Sequence, residues 1–136
     1  MTFSAVLWVM LGSALGGMAR HWMAGAVGRR VGEGFPWGTL AVNATGATAI
    51  GLVAGVVDAG MGPAWLGSPT TWRFAAIGFL GSYTTVSSFS LQTLALVQDR
   101  NWLAATAYVA GSVGLCLVGG GLGMTVVSAL AAGAPS

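Results

Sequence analysis

The chain has 136 residues, of which 55% are apolar and 6% are charged, and its mean hydropathy is +0.80. A soluble domain carries about a quarter charged residues, so this composition excludes an ordinary soluble domain and indicates an integral membrane protein. The net charge of +2 comes from five arginines and three carboxylates, which are too scattered to form a basic face for nucleic acid.

Four apolar segments are long enough to cross a bilayer, because a helix needs roughly 20 residues to span the hydrocarbon core. The glycines, prolines and charged residues between these segments are typical of loops. We therefore predict an all-α membrane protein in which residues 1–136 form one domain of four transmembrane helices. The predicted spans cover about 4–25, 37–57, 74–97 and 102–124.

The first span ends with two polar residues, Arg20 and His21. No Lys or Arg precedes its apolar run, which disfavours the alternative interpretation of a cleaved signal peptide. Arg20 is a candidate vestibule residue that would attract anions, and an interfacial anchor is the alternative. Beyond this span, Arg29, Arg30 and Arg100 fall on one side of the membrane and Arg73 on the other, a weak bias that favours termini on the outer side.

Small residues favour close contacts between these helices. Gly12 and Gly16 in the first span, and Gly51 and Gly55 in the second, have the GxxxG spacing that lets helix backbones approach in lipid. Four spans form a bundle too thin to enclose a wide pathway, so oligomerisation is expected.

The third span contains the densest group of hydroxyls in the chain, in the stretch GSYTTVSSFS at residues 81–90. As one helix, 74–97 would be roughly 36 Å long, with this stretch at its centre. Glycine and successive threonines are poor helix formers, so we predict a break here that exposes carbonyls and helix ends to an ion. The alternative is a continuous helix whose hydroxyls bond back to carbonyls one turn earlier.

Polar residues recur at helical spacing in each span after the first. The second span has Thr39 and Asn43, the fourth has Tyr108 and Ser112, and the third has a polar ladder with an aromatic ring beside it. The members of that ladder are Thr85, Ser88 and Gln92, with Phe89 as the ring. Hydrogen bonds between helices are the alternative role for such residues. The single Cys116 is interpreted as a small packed thiol.

No charged residue lies in the middle of any span, so no carboxylate is available to couple a solute to protons. This disfavours a small dual-topology multidrug exporter, one rival interpretation, while an accessory membrane subunit is another. An enzyme is least supported, because the one histidine has no paired carboxylates or metal cluster beside it. Amide, hydroxyl and aromatic-edge donors remain, and these suit a small hydrated anion.

The sequence resembles the Fluc, or CrcB-type, family of fluoride channels. The matching pieces lie in all four spans in order: GGMAR with Arg20, PWGTLAVNATG with Asn43, GFLGSYTTVSSFS, and YVAGS with Tyr108 and Ser112. The resemblance implies passive, fluoride-selective export across the inner membrane of a bacterium, by an antiparallel homodimer with two pores in the lipid bilayer.

The resemblance also implies roles for individual residues. A sodium ion at the dimer axis would be held by the backbone carbonyls of Gly81 and Thr84. The pore-lining residues would be Asn43, Phe89, Tyr108 and Ser112, with Thr85, Ser88, Ser90, Thr39 and Gln92 beside them.

Two positions depart from the family pattern, which usually reads TTFSTFS. Val86 stands where the first of two phenylalanines is expected, so that only Phe89 remains, and Gln92 replaces a glutamate. These differences leave open how fast the homodimer conducts and whether it needs a paralogous subunit.

Overall fold

The computed structural model describes residues 2–32, 34–61 and 64–133, and every regular element in these ranges is helical. The helices are α1 (Phe3–Val31), α2 (Trp37–Asp58), α3 (Pro69–Trp72), a π-helix (Arg73–Leu80), α4 (Gly81–Tyr83), α5 (Val86–Gln98) and α6 (Trp102–Ala132).

The described residues contain four helical segments that are long and apolar enough to cross a membrane, which confirms the predicted all-helical, four-span class. The first, second and fourth spans are α1, α2 and α6, and the third runs from Pro69 to Gln98. Helices α1 and α6 continue beyond the spans predicted from hydropathy, because a helix need not end where the hydrocarbon core ends. The tight turn before α6 places Arg100 in the left-handed region, and Asn101 caps the helix by accepting a hydrogen bond from the Ala104 amide.

Glycines on α1 allow it to contact the π-helix backbone to backbone. A Cβ added at Gly16 would collide with the carbonyl oxygen of Phe79, and one at Gly12 would collide with that of Phe74. On the opposite side of the bundle, Gly51 of α2 lies against the backbone of Gly120 in α6. The prediction that the two GxxxG pairs lie at helix contacts is therefore confirmed, and these contacts fix α1 and α6 on the two sides of the site.

The third span changes its backbone conformation twice. In the π-helix the backbone hydrogen bonds join residues five apart instead of four. At its end, for example, the Gly81 amide donates to the carbonyl of Ala76. Thr84 and Thr85 then have extended backbones, with φ/ψ of −74/159° and −151/124°, before α5 begins at Val86. Val42 of α2 and Tyr108 of α6 are the largest fully buried side chains among the described residues.

Candidate functional site

Asn43 holds the extended segment of the third span in place. Its Nδ2 donates to the Thr85 carbonyl at 2.9 Å, and its Oδ1 accepts from the Thr85 amide at 2.8 Å. Because a backbone amide only donates and a carbonyl only accepts, this reciprocal pair fixes the orientation of the Asn43 amide. One of the two Nδ2 hydrogens is used in the pair, so the other is a donor for a further partner.

Thr85 also begins the next helix. It is the N-cap of α5, and its Oγ1 accepts a hydrogen bond from the Ser88 amide at 3.2 Å. The same hydroxyl lies 3.2 Å from Ser88 Oγ and 3.1 Å from Ser87 Oγ. Threonine is favoured at this position because its short side chain satisfies an amide that the first helical turn leaves unpaired. The partially positive N-terminus of α5 is thereby fixed at the level of Asn43.

The side of Thr85 that faces α1 opens into a cleft of about 320 Å³, which we call the polar cleft. Arg20 contributes a positive charge, and no lining residue is acidic. The polar cleft is lined by Gly17, Arg20, His21, Ala24, Thr39, Val42, Thr85, Ser88 and Gln92. Ser88 and Gln92 lie one turn apart on α5, so the structure brings the predicted polar ladder together with Thr39 and Arg20.

Thr85 also contributes to a groove of about 290 Å³ that we call the aromatic groove. It combines four residues predicted for the site with four others. The aromatic groove is lined by Asn43, Thr85, Val86, Phe89, Ser112, Val113, Cys116 and Leu117. Its wall is mostly apolar, which strengthens any polar interaction made there.

A third space, the helix-end groove, measures about 330 Å³ and brings Gly81 and Thr84 to the same wall. Gly46 of α2 lies at its base, where an added Cβ would collide with the Thr84 methyl group. The helix-end groove is lined by Asn43, Gly46, Ala47, Ile50, Leu80, Gly81, Thr84, Thr85, Val86 and Cys116. Thr85 is thus common to the polar cleft and both grooves, and Asn43 is common to both grooves.

Tyr108 connects α6 to α5. It is fully buried, and its hydroxyl donates to Gln92 Oε1 at 2.9 Å. Its ring lies 5.3 Å from the Phe89 ring, centroid to centroid, at an interplanar angle of 37°. On the other side Phe35 meets the same ring edge-on at 5.6 Å. Tyr108 therefore positions both the aromatic ring of the aromatic groove and the amide of the polar cleft.

Ser112 has an unusual environment for a buried polar residue. It is 5% exposed, and its Oγ has no hydrogen-bond partner among the described residues. A hydroxyl buried without a partner is unfavourable, and such groups in native proteins call for an explanation. Ser112 is among the residues that line the aromatic groove, so its buried hydroxyl is an unpaired donor and acceptor beside that groove.

Ser90 is the one predicted site residue that points elsewhere. It is exposed on α5 and lies two positions from both Ser88 and Gln92, which places it on the opposite side of that helix. Its role in the site stays a prediction. The residues that sequence reasoning missed are His21 in the polar cleft and Cys116 in both grooves. Cys116 was within reach of that reasoning, because it continues the four-residue spacing of Tyr108 and Ser112.

This arrangement is suited to handling a small anion. Hydroxyl and amide donors, an aromatic ring and one guanidinium lie around the first turn of a helix. The donors, the guanidinium, the helix N-terminus and the edge of an aromatic ring all interact favourably with negative charge. Among the described residues, no three His, Cys, Asp or Glu side chains lie close enough together to hold a metal ion. The fold and the site together define a multi-pass membrane protein with anion-compatible polar groups beside Thr85 of the third span.

Comparison with known proteins specifies this class further. A family model described as CrcB-like protein, Camphor Resistance (CrcB), matches residues 7–124. The "Fluoride-specific ion channel FluC 2" of Rhodopseudomonas palustris is 51% identical over 126 residues, which are 93% of this chain and 95% of that protein. The protein of the same name from Bradyrhizobium diazoefficiens is 49% identical, covering 93% and 91%. The "Fluoride-specific ion channel FluC" of Paramagnetospirillum magneticum is 47% identical, covering 85% and 88%.

The chain belongs to the CrcB-like family. The match includes parts of all four transmembrane helices and every residue assigned above to the polar cleft and the two grooves.

Proposed function

We propose that this protein is a fluoride-selective channel that passively exports fluoride from the cytoplasm across the inner membrane of a bacterium. The observation that carries the proposal is the position of Thr85. This single residue lines a polar cleft that contains Arg20 and also an aromatic groove that contains Ser112. Donors on both sides of Thr85 therefore form a series along which an anion can exchange water for protein groups.

The donors match a small, strongly hydrated anion. Arg20 attracts negative charge into the polar cleft, where Ser88 and Gln92 provide neutral polar groups. In the aromatic groove the unpaired Ser112 hydroxyl and the Phe89 ring are the next groups, and neither carries a charge that would hold the ion too tightly. The described residues that line these spaces include no carboxylate, which supports passive conduction over proton coupling.

The extended residues Thr84 and Thr85 are proposed to be a functional break in the third helix. The amide that would bond the Gly81 carbonyl in an α-helix belongs to Thr85, and it donates to Asn43 instead. The amide that would bond the Thr84 carbonyl belongs to Ser88, and it donates to the Thr85 hydroxyl. Both carbonyls therefore lose their helical donors, and hard oxygen donors of this kind fit a sodium ion, which would neutralise the carbonyl dipoles when bound.

An antiparallel homodimer is proposed as the working form. Gly81 is exposed and the helix-end groove opens on the surface of the single chain, so unpaired backbone oxygens would face lipid there. Such groups are unfavourable in hydrocarbon unless protein covers them, and a second copy provides that cover. The weak arginine bias between the two sides is compatible with insertion in both orientations.

The proposal is tested by fluoride efflux from liposomes that contain this protein alone. A fluoride electrode records the release, and chloride efflux from matched liposomes reports selectivity. Rapid fluoride release without chloride release supports the proposal. Absence of release from folded, dimeric protein would contradict it and favour an accessory subunit that works beside a paralogous partner.

A pair of variants on α5 identifies the path. Ser88→Ala removes a hydroxyl from the polar cleft and is expected to slow fluoride release. Thr93→Val removes a hydroxyl that bonds the Phe89 carbonyl within the same helix, and it should leave release unchanged. Equal rates of fluoride release for the two variants would show that fluoride does not pass through the polar cleft.

A further inference from the structure

Cys116 is the only cysteine in the chain, and it occupies the junction of two spaces. It is half-buried and lines the aromatic groove together with Phe89 and Ser112. It also lines the helix-end groove together with Gly81 and Thr84. A thiol that serves only as packing would be enclosed by helix contacts, whereas this one is at the wall of both grooves.

A second observation marks the same wall as a place for a ligand. Ser112 lies one helical turn before Cys116 on α6, and its buried hydroxyl has no partner among the described residues. Helix α6 thus carries Tyr108, Ser112 and Cys116 in successive turns, and Ser112 already belongs to the proposed path. A ligand that reaches Ser112 from the aromatic groove would also contact the wall that Cys116 lines.

We propose that Cys116 is a covalent control site at the wall of the anion path, at which a mixed disulfide with a small thiol blocks the flow. The inference rests on the proposed function. The modification adds a sulfur and a methyl carbon, whose volume exceeds the roughly 30 Å³ that one water molecule takes in liquid. The ion that must pass the aromatic groove is about as large as one water molecule. The added group would also cover the nearby Ser112 hydroxyl.

The modifying reagents belong to the class of small thiosulfonates and disulfides. With methyl methanethiosulfonate, the Cys116 thiolate attacks the sulfur that carries the S-methyl group of the reagent. A disulfide bond forms between Cys116 Sγ and this sulfur, methanesulfinate is released, and the thiol proton passes to water. A dithiol reductant reverses the modification by thiol–disulfide exchange and restores the free thiol. The control is therefore covalent and reversible.

The experiment treats the protein in liposomes with methyl methanethiosulfonate, counts adducts by intact mass spectrometry and measures fluoride efflux. We expect one adduct per chain, efflux reduced to that of protein-free liposomes, and recovery after dithiothreitol. Cys116→Ala should be insensitive to the reagent. Leu103→Cys in the Cys116→Ala background is the matched control, because Leu103 is 83% exposed on the same helix. It should be modified without loss of efflux.

Two results would overturn the inference: a complete Cys116 adduct with efflux unchanged, or folded protein that gains no adduct while the Leu103→Cys control does. Failure of the proposed function is distinct, because it appears as no efflux before any reagent is added. In that case the inference is tested by the rate at which the reagent modifies Cys116. Val86→Trp fills the grooves beside Cys116, so it should slow modification of Cys116 and leave the Leu103→Cys control unaffected.

Discussion

Replacing Asn43 with leucine tests the reciprocal pair that holds Thr85. Leucine has the same number and branching of side-chain heavy atoms, so the variant removes two hydrogen bonds of 2.9 and 2.8 Å with little change of shape. A hydrogen bond contributes about 0.5–1.5 kcal/mol net in proteins, and pairs between transmembrane helices average about 0.6 kcal/mol. The free energy of unfolding should therefore fall by about 1–3 kcal/mol.

The measurement is reversible unfolding in mixed micelles during a titration with dodecyl sulfate, followed by tryptophan fluorescence. Thr125→Val is the control, because its exposed hydroxyl bonds only the Leu122 carbonyl of its own helix, and it should change the unfolding free energy by less than about 0.5 kcal/mol. If Asn43→Leu behaves like this control, the pair does not hold the extended segment, and the argument for the free Gly81 carbonyl fails with it.

Asn43→Leu should also abolish fluoride efflux. The variant loses both the hydrogen bonds that hold the extended residues Thr84 and Thr85 and the second Nδ2 hydrogen of Asn43, which is a donor for the anion. Stability lost with efflux intact would show that Asn43 is structural and that the anion passes elsewhere.

Three further predictions concern buried contacts. Ser112→Ala should leave the unfolding free energy unchanged or raise it by up to about 1 kcal/mol, since no partner is lost, yet slow fluoride efflux; marked destabilisation would reveal a hidden partner. Tyr108→Phe removes the bond to Gln92 and should cost about 0.5–1.5 kcal/mol in the same micelle titration, with slower efflux as a second readout. Gly16→Ala places a methyl group against the Phe79 carbonyl and should cost about 1–3 kcal/mol; an unaffected titration midpoint would refute the close contact.

The fold class could be predicted from the sequence because hydropathy and helix length are local properties. The four spans follow from apolar runs of sufficient length, and the glycine pairs follow from a four-residue spacing that is visible without a structure. Polar stripes on separate helices were likewise apparent, since Thr39 and Asn43, or Tyr108 and Ser112, share a face by spacing alone.

Contacts between elements were beyond that reasoning. Asn43 was expected to face a pore, and nothing local to the second span indicates that its amide binds the backbone of Thr85, 42 residues further along the chain. The bond between Tyr108 and Gln92 depends in the same way on how α5 and α6 pack. The lack of a partner for Ser112 is a property of its whole surroundings, which spacing does not report.

The π-helix at Arg73–Leu80 has a consequence for how the chain tolerates insertions and deletions. A π turn holds more residues than an α turn, so the segment carries an extra residue whose effect is a shift in helical phase. Every side chain after it, including those of Thr84 and Thr85, faces a direction set by that shift. Lengthening or shortening this short stretch by one residue would rotate the backbone amide and carbonyl of Thr85 away from Asn43 without altering either residue. The segment Arg73–Leu80 is therefore expected to keep its length more strictly than its composition.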